Sequence, residues 1–328
     1  MEARDESRSR RRHRRERKRG VLIGALVVVI AITAGGAWWL HRRGGSAGDV
    51  AGRARAAFDQ GQYAAAIVDL KTLLKDAPND GASRVLLGRA YLKTGNVAPA
   101  VKEFERAREA GVRDDETDRN LVRGYILLGT FDRAATELAL HAGDGNPDWK
   151  GLNGMLQLAQ QRVDEARATF EAVLAAHPEH DEARRGLVQA LIAGNDVDGA
   201  RVHLARLLEG NKNDVGLWII QGQLDLHDRK ADAARESFRH ALDIAPKNPL
   251  AVLGMAEAEL AGGTADAAAA RLDTLGAAAD EDPRVNYLRA RIAEQRGDSE
   301  NALLRLNKVL HTTPNHIDSL VMAARIHF

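Results

Sequence analysis

Arginines recur at a fixed spacing in the first part of the chain. Arg55, Arg89 and Arg123 are 34 residues apart, and Arg119 comes four residues, about one helical turn, before Arg123. A planar guanidinium offers paired N–H donors that match a carboxylate. Such a strip would bind an acidic peptide or an anionic polysaccharide. The alternative is that these arginines pair with acidic residues of adjacent helices.

Two columns of side chains extend this spacing towards the C-terminus. The column of Arg55 continues through Met155, Gln189, Gln223, Glu257, Arg291 and Arg325. A neighbouring column holds Arg119, Arg185 and Tyr287. We predict that both columns line one groove, which binds proteins, extended peptides or an anionic polysaccharide.

The sequence contains no known catalytic motif. The GxSxG, GxxxxGK[ST] and HExxH patterns are absent, as is GxGxxG before a strand. His177-Pro-Glu-His180 comes nearest to a metal pair, but Pro178 keeps the two rings off a common helix face, so we interpret them as loop histidines. Zero cysteines exclude disulfides and cysteine–zinc sites. The sequence predicts a protein that is not an enzyme and needs no metal or cofactor.

One pattern of small and large apolar residues, typical of an amphipathic helix, occurs eight times along the chain. An alanine returns every 34 residues, with one interval of 32, and a large apolar residue follows it by four. A third position lies three residues further on and is His141 in the third copy and Leu275 in the seventh. These positions share one helix face, so the alanine allows a partner helix to pack closely. The predicted packing residues are Ala66, Ala100, Ala134, Ala166, Ala200, Ala234, Ala268 and Ala302.

Glycines and prolines mark the predicted helix ends. Five residues before five of the alanines, a glycine is expected to form a left-handed turn that ends a first helix: Gly61, Gly95, Gly129, Gly263 and Gly297. Twelve residues after four of them, a proline is expected to end a second helix: Pro78, Pro178, Pro246 and Pro314. Two helices in a period of 34 are typical of a helix–turn–helix solenoid.

This pattern resembles the tetratricopeptide repeat family from about residue 47 to the C-terminus. The resemblance implies an all-α, right-handed solenoid of eight helix pairs followed by a terminal helix. The repeats are 47–80, 81–114, 115–146, 147–180, 181–214, 215–248, 249–282 and 283–316. The short interval falls at 141–147, where glycines and Pro147 interrupt the pattern. It predicts a hinge between repeats three and four, or a well-packed slip of register.

An uncharged stretch of 20 residues, Val21–Leu40, precedes the repeats. As a helix it would span about 30 Å, the thickness of a bilayer core, and Trp38 and Trp39 stand at its far end. We predict a single transmembrane anchor. Small residues at 34–37 leave a cleaved signal peptide as the alternative.

Charge predicts the orientation of this anchor. Residues 1–20 hold ten Lys/Arg and four acids and form a predicted basic cytoplasmic tail. Residues 41–49 are a predicted linker to a solenoid at 50–328. The repeats would then lie on the periplasmic side of a bacterial inner membrane. Residues 44–328 carry a net charge of −7, which argues against a nucleic-acid partner.

Three segments are similar to one bacterial family: 66–80 (AIVDLKTLLKDAPND), 86–95 (LLGRAYLKTG) and 286–298 (NYLRARIAEQRGD). They resemble the PEP-CTERM-system tetratricopeptide lipoproteins (PrsT), which accompany exosortase and exopolysaccharide clusters. Those proteins are longer and lipid-modified, so the resemblance implies a truncated form with an anchor in place of the lipid. The function expected is a scaffold assisting an envelope complex for exopolysaccharide export or protein sorting. The alternative is a periplasmic chaperone at the translocon.

Overall fold

The computed structural model describes residues 48–327, and every regular element in that range is a helix. The predicted tail (1–20) and anchor (Val21–Leu40) lie outside the described residues. Among the helices that are described, none has the length and apolar character needed to cross a bilayer. Helical structure is already present at residue 48, two residues inside the predicted linker.

Short connections join the described helices in sequence. They are α1 (48–59), α2 (Tyr63–Asp76), α3 (Gly81–Lys93), α4 (Val97–Glu109), α5 (Asp115–Leu127), α6 (Phe131–Leu140), α7 (Pro147–Ala159), α8 (Val163–Ala176), α9 (Asp181–Ala193), α10 (Val197–Gly210), α11 (Val215–His227), α12 (Ala231–Ile244), α13 (Pro249–Ala261), α14 (Ala265–Asp273), α15 (Pro283–Gln295), α16 (Ser299–Thr312) and α17 (Ile317–His327). A 3-10 helix, Ala277–Glu281, precedes α15. Odd-numbered helices are the first and even-numbered helices the second of each pair.

These helices form two compact units. The N-terminal unit comprises α1 to α6 and ends at Leu140, and the C-terminal unit begins at His141 and comprises α7 to α17. Within each unit, consecutive helices pack together, and neighbouring first helices also meet, as α3 does with α5 and α13 with α15. The predicted eight pairs and terminal helix are confirmed. The division between the units coincides with the predicted irregular junction.

The second helices bury the residues that carry the repeated pattern. All eight alanines have no exposed surface. The apolar residue four positions later is buried in every repeat: Leu70, Phe104, Leu138, Phe170, Leu204, Phe238, Leu272 and Leu306. Each pair therefore removes its apolar face from water by packing on its neighbours, as expected of a solenoid.

Side-chain size is matched within each pair. Where the second helix carries phenylalanine, the facing position of the first helix is glycine, which gives the pairs Phe104 with Gly88, Phe170 with Gly154 and Phe238 with Gly222. Where it carries leucine, the corresponding first-helix residue is a buried alanine or valine: Ala54, Val122, Val188, Ala256 and Ala290. Phe170 and Phe238 also lie against glycines of the following first helix, Gly186 and Gly254. A larger ring is thus accommodated by a missing side chain.

The turn inside every repeat contains one residue with a positive φ. The five predicted glycines have φ between 70° and 79°, which confirms their role. In the fourth, fifth and sixth repeats the same place is held by Gln161, Asn195 and Arg229, with φ of 59° to 61°. A side chain in this conformation costs free energy, least for Asn.

We expect Arg229→Gly to raise the free energy of unfolding by about 0.5–1 kcal/mol, because relief of the left-handed strain exceeds the added entropy of the unfolded chain. Urea denaturation followed by circular dichroism would measure it. Gly263→Ala is the matched control. Its Cβ would meet nothing within 4 Å, so its expected loss of about 1 kcal/mol is a backbone effect alone. No gain in Arg229→Gly would contradict this account.

Two second helices are shorter than the pattern predicts. The four predicted prolines do end their helices, each of which stops two residues earlier. However, α6 ends at Leu140 and α14 at Asp273, so His141 and Leu275 lie beyond the helix ends. The expectation that they occupy a helical face is therefore wrong.

His141 instead packs against the first helix that follows it. Its ring stacks on Trp149 with centroids 3.8 Å apart, and its Nδ1 lies 2.9 Å from Oδ2 of Asp144. After α14 the chain turns at Gly276, with φ of 74°, into the 3-10 helix. Glycines next to both helix ends offer the chain an easier path than another helical turn.

Candidate partner-binding surface

The arginine strip, defined as Arg55, Arg89, Arg119 and Arg123, lies on the first helices of the N-terminal unit. Arg55 is on α1, Arg89 on α3, and Arg119 and Arg123 on α5. Of the Arg55 side chain, 65% is exposed, compared with 35% for Arg89. The predicted strip therefore presents guanidinium groups on three helices of one unit.

Arg89 is the best-held member of the strip. Its Nη1 lies 3.2 Å from Oε1 of Glu116, at the start of α5, and its guanidinium carbon is 5.0 Å from the centre of the Phe58 ring. Arg123 donates from Nη1 to Oδ1 of Asn120, over 3.2 Å. Stacking on Phe58 holds the Arg89 guanidinium in place while leaving part of it open to solvent.

The other two members pair with acids of their own helix. Arg55 Nε is 3.8 Å from Oδ2 of Asp59, and Arg119 Nη1 is 3.4 Å from Oδ2 of Asp115. Both carboxylates are more than half exposed. An ion pair as exposed as that of Arg55 and Asp59 contributes at most about 1 kcal/mol, so an incoming anion could replace the Asp59 carboxylate at little cost.

The net charge of each unit bears on where an anion would bind. Residues 48–140 contain 14 Lys/Arg and 14 Asp/Glu, so that stretch is neutral. Residues 141–328 contain 21 Lys/Arg and 28 Asp/Glu, a net charge of −7. The acidic balance of the repeats thus belongs entirely to the C-terminal unit, which repels anions, whereas the arginine strip lies in the neutral one.

In the C-terminal unit, the predicted groove residues near α9 are polar. Arg185 Nη2 is 2.9 Å from Oδ2 of Asp214, the residue that caps α11. Gln189 on α9 and Gln223 on α11 are exposed. The two amides occupy the same register position in consecutive repeats, where each offers both a donor and an acceptor.

Tyr287 and Arg291 lie together on α15. The Arg291 guanidinium carbon is 5.8 Å from the Tyr287 ring centre, and its Nη1 is 3.2 Å from Oε1 of Glu257 on α13. The Tyr287 ring also packs on His316, with centroids 5.1 Å apart. Burial raises the pKa of the Tyr287 phenol, so it stays a neutral hydrogen-bonding group at physiological pH.

Three of the predicted groove arginines pair with an acid on, or at the N-cap of, a neighbouring first helix, namely Arg89 with Glu116, Arg185 with Asp214, and Arg291 with Glu257. This is the alternative that the sequence left open. Ligand binding by the strip stays a prediction, and it now requires exchange of these carboxylates. The spacing of the arginines gave no signal for the pairs with Glu116 and Asp214, because these acids come from other register positions, whereas Glu257 precedes Arg291 in the same predicted column.

The histidines of the His177-Pro-Glu-His180 segment have separate places. His177 follows the end of α8, whereas His180 is the N-cap of α9, where its Nδ1 accepts a hydrogen bond from the Ala183 backbone N–H over 3.0 Å. Both histidines lie between helices, as interpreted from the sequence, and His180 has the added role of a helix cap. Across the described residues, no three His, Asp or Glu side chains are grouped so as to hold a metal ion.

Comparison with family models gives one match. The model described as "Tetratricopeptide repeat" matches residues 57–119, 157–224 and 225–292. Together these ranges cover more than half of the chain and include repeats from both units.

Comparison with characterised proteins gives more distant similarity. The chain is 25% identical over 239 residues to Cellulose synthase 1 operon protein C of Komagataeibacter xylinus, covering 67% of this chain but only 18% of that protein. It is 28% identical over 97 residues to Chaperone protein YscY of Yersinia enterocolitica, covering 30% of this chain and 85% of YscY. Among solved structures, a human IFIT1 dimer aligns with a TM-score of 0.61 at 18% identity, over 79% of this chain and 67% of that one. The similarity to the IFIT1 structure concerns the fold alone.

Proposed function

Because the chain belongs to the tetratricopeptide repeat family, whose repeats are protein-interaction scaffolds, we propose that it is a membrane-anchored scaffold on the periplasmic side of a bacterial inner membrane. Val21–Leu40 is the proposed anchor, with the basic residues 1–20 in the cytoplasm. The scaffold assists assembly of an envelope complex that serves exopolysaccharide export or protein sorting.

The arginine strip carries this proposal. Its guanidinium groups lie on three helices of a neutral unit, and the carboxylates that pair with Arg55, Arg89 and Arg119 are each more than half exposed, where ion pairs are weak. An anionic segment of a partner, either an acidic peptide or a polysaccharide, supplies replacement carboxylates at the spacing of successive repeats. Similarity to a cellulose synthase operon protein supports the exopolysaccharide role, although this chain spans less than a fifth of that protein's length.

A second candidate is a periplasmic chaperone at the translocon. The similarity to Chaperone protein YscY, which extends over 85% of that protein, favours it. The exposed amides of Gln189 and Gln223 suit this role, because they can hydrogen-bond to the backbone of an extended peptide without regard to its sequence.

Binding of named probes by the full-length chain tests the strip. We expect it to bind polygalacturonate and a fluorescent oligoglutamate peptide, and to lose at least about tenfold in affinity for both between low and physiological salt, because exposed charge pairs are screened. We expect Arg89→Glu with Arg123→Glu to abolish this binding, and to lower the melting temperature by only a few degrees through loss of the Glu116 and Phe58 contacts. Fluorescence anisotropy and circular dichroism measure the two quantities.

Arg235→Glu with Arg239→Glu is the matched control. It makes the same change in net charge on the exposed face of α12 in the C-terminal unit, and binding of both probes should persist. Equal binding by the strip variant and the wild type would remove the strip from the proposal. Binding of an unfolded apolar peptide that neither salt nor the strip variant affects would favour the chaperone.

A further inference from the structure

The N-cap residue of helix α9 is a histidine, His180. His180 accepts the Ala183 N–H at Nδ1, and its Nε2 lies 3.0 Å from Oδ1 of Asp148 on α7. Only an unprotonated nitrogen can accept a hydrogen bond, so the proton of His180 sits on Nε2 and is donated to Asp148. The first turn of α9 is therefore capped by a neutral histidine.

A second imidazole holds the same helix from α10. The buried Arg184 of α9 points its Nη1 at Nδ1 of His203, 3.3 Å away, and also donates from Nη2 to the carbonyl oxygen of Pro178. Because a guanidinium can only donate, His203 must again accept at an unprotonated Nδ1. Two of the contacts at the start of α9, those of His180 and His203, thus depend on an imidazole lone pair.

Other repeats use groups that remain acceptors in mild acid. The helix caps at the position of His180 are Asp80, Asp114, Asn146, Asp214, Asn248 and Asp282. At the positions of Arg184 and His203, the second repeat has Arg84 and Glu103, an ion pair with Nη1 and Oε2 2.5 Å apart. His316 caps α17 in the same way as His180, but Leu320 stands in α17 at the register position of Arg184.

The charges around the two imidazoles determine the effect of acid. His203 faces Arg184 of α9, Arg206 of its own helix and Glu171 of α8. Burial, and then Arg184, lower the pKa of the His203 imidazole below its ordinary value of 6.5. The unfolded chain therefore takes up a proton before the folded one does. The stability contributed by this contact is present above pH 6.5, the ordinary value that holds in the unfolded chain, and is lost as the pH falls from there through the lower pKa of the folded state.

Charged groups also surround His180. Its Nε2 donates to the Asp148 carboxylate of α7, and His177, Glu179 and Asp181 are near it in the chain. The inference rests on His203, because that imidazole lies directly against the buried guanidinium of Arg184.

We propose that the fifth repeat (181–214) is an acid-sensitive element, in which protonation of His203 turns its contact with Arg184 into a repulsion and releases the start of α9. The released helix carries Arg185 and Gln189 of the predicted groove, so acid alters that surface. That consequence rests on the proposed function, whereas the opening of the helix does not.

Hydrogen exchange measured by mass spectrometry on the full-length chain tests this inference. After correction for intrinsic exchange rates, we expect peptides from α9 and α10 to exchange at least about fivefold faster at about pH 5.5 than at about pH 7.5. Peptides from α13, which contains no histidine, provide the internal reference. His203→Glu recreates the pair of the second repeat and should abolish the difference, as should His203→Gln, which keeps a neutral acceptor.

His311→Gln, on the exposed face of α16, is the control and should retain the full acid response. The inference is overturned if α9 and α10 of the wild type exchange equally at both pH values. It is equally overturned if His203→Glu and His203→Gln keep the wild-type response. Loss of groove binding in acid without faster exchange would also count against it.

Discussion

Ala200→Asp is expected to lower the free energy of unfolding by about 3–5 kcal/mol, because it leaves an uncompensated charge in a closed apolar contact. Ala200 has no exposed surface and belongs to the cluster that includes Leu187, Val188 and Leu204. Packing at this position brings α9 close to α10, so no water can reach a carboxylate there. A chain of marginal stability would lose the fold of this repeat altogether.

Val202→Asp provides the matched control for Ala200→Asp. Val202 is on the same helix but is 70% exposed, so its replacement should change the free energy of unfolding by no more than about 0.5 kcal/mol. Urea denaturation of both variants, followed by circular dichroism, gives the comparison. Similar losses in the two variants would show that Ala200 does not serve as a closed contact.

Gly254→Ala is expected to destabilise the chain by about 1–3 kcal/mol, the usual cost of overpacking a core. The added Cβ would overlap the fully buried ring of Phe238, which is already enclosed on its other side by Gly222, where a Cβ would lie 2.7 Å from Cζ. The direction of the change in the free energy of unfolding distinguishes overpacking from the usual effect of this substitution. Replacing glycine by alanine inside a helix ordinarily stabilises it by about 0.5–1 kcal/mol.

Gly151→Ala tests that ordinary case. Gly151 is inside α7, and a Cβ there would meet nothing within 4 Å, so this variant should gain stability. Adding Phe238→Leu to Gly254→Ala should recover part of the loss, because the smaller side chain frees the space that the methyl group needs. If the two substitutions were strictly additive, the ring could not be the cause of the loss.

The fold follows from the sequence because the signals of the repeat agree with each other. The alanine spacing, the glycine turns and the prolines each locate a boundary in the structure to within about two residues. The predictions from the repeat pattern fail only at individual residues. At Arg229 the neighbouring helices impose a left-handed turn on a residue that does not favour it. At His141 a stack on Trp149, invisible in a helical pattern, competes with one more turn of α6.

The candidate site is less predictable. The column of Arg89 could be found from its period, but its partner Glu116 belongs to another register position, and pairing depends on rotamers that no spacing encodes. The role of His180 had a usable signal, since it stands where other repeats carry Asp or Asn. Comparing the repeats with each other at that position would have indicated a helix cap.

Matched ring and glycine sizes restrict how a chain of this kind can lengthen or shorten. Loss of the fifth repeat alone would bring Ile220 to the position where Gly186 now faces Phe170. Loss of the fifth and sixth repeats together would instead bring Gly254 to that position, so that Phe170 would again face a glycine. In this part of the chain, a change in length that keeps the ring matched to its glycine therefore involves two repeats, or 68 residues, at a time.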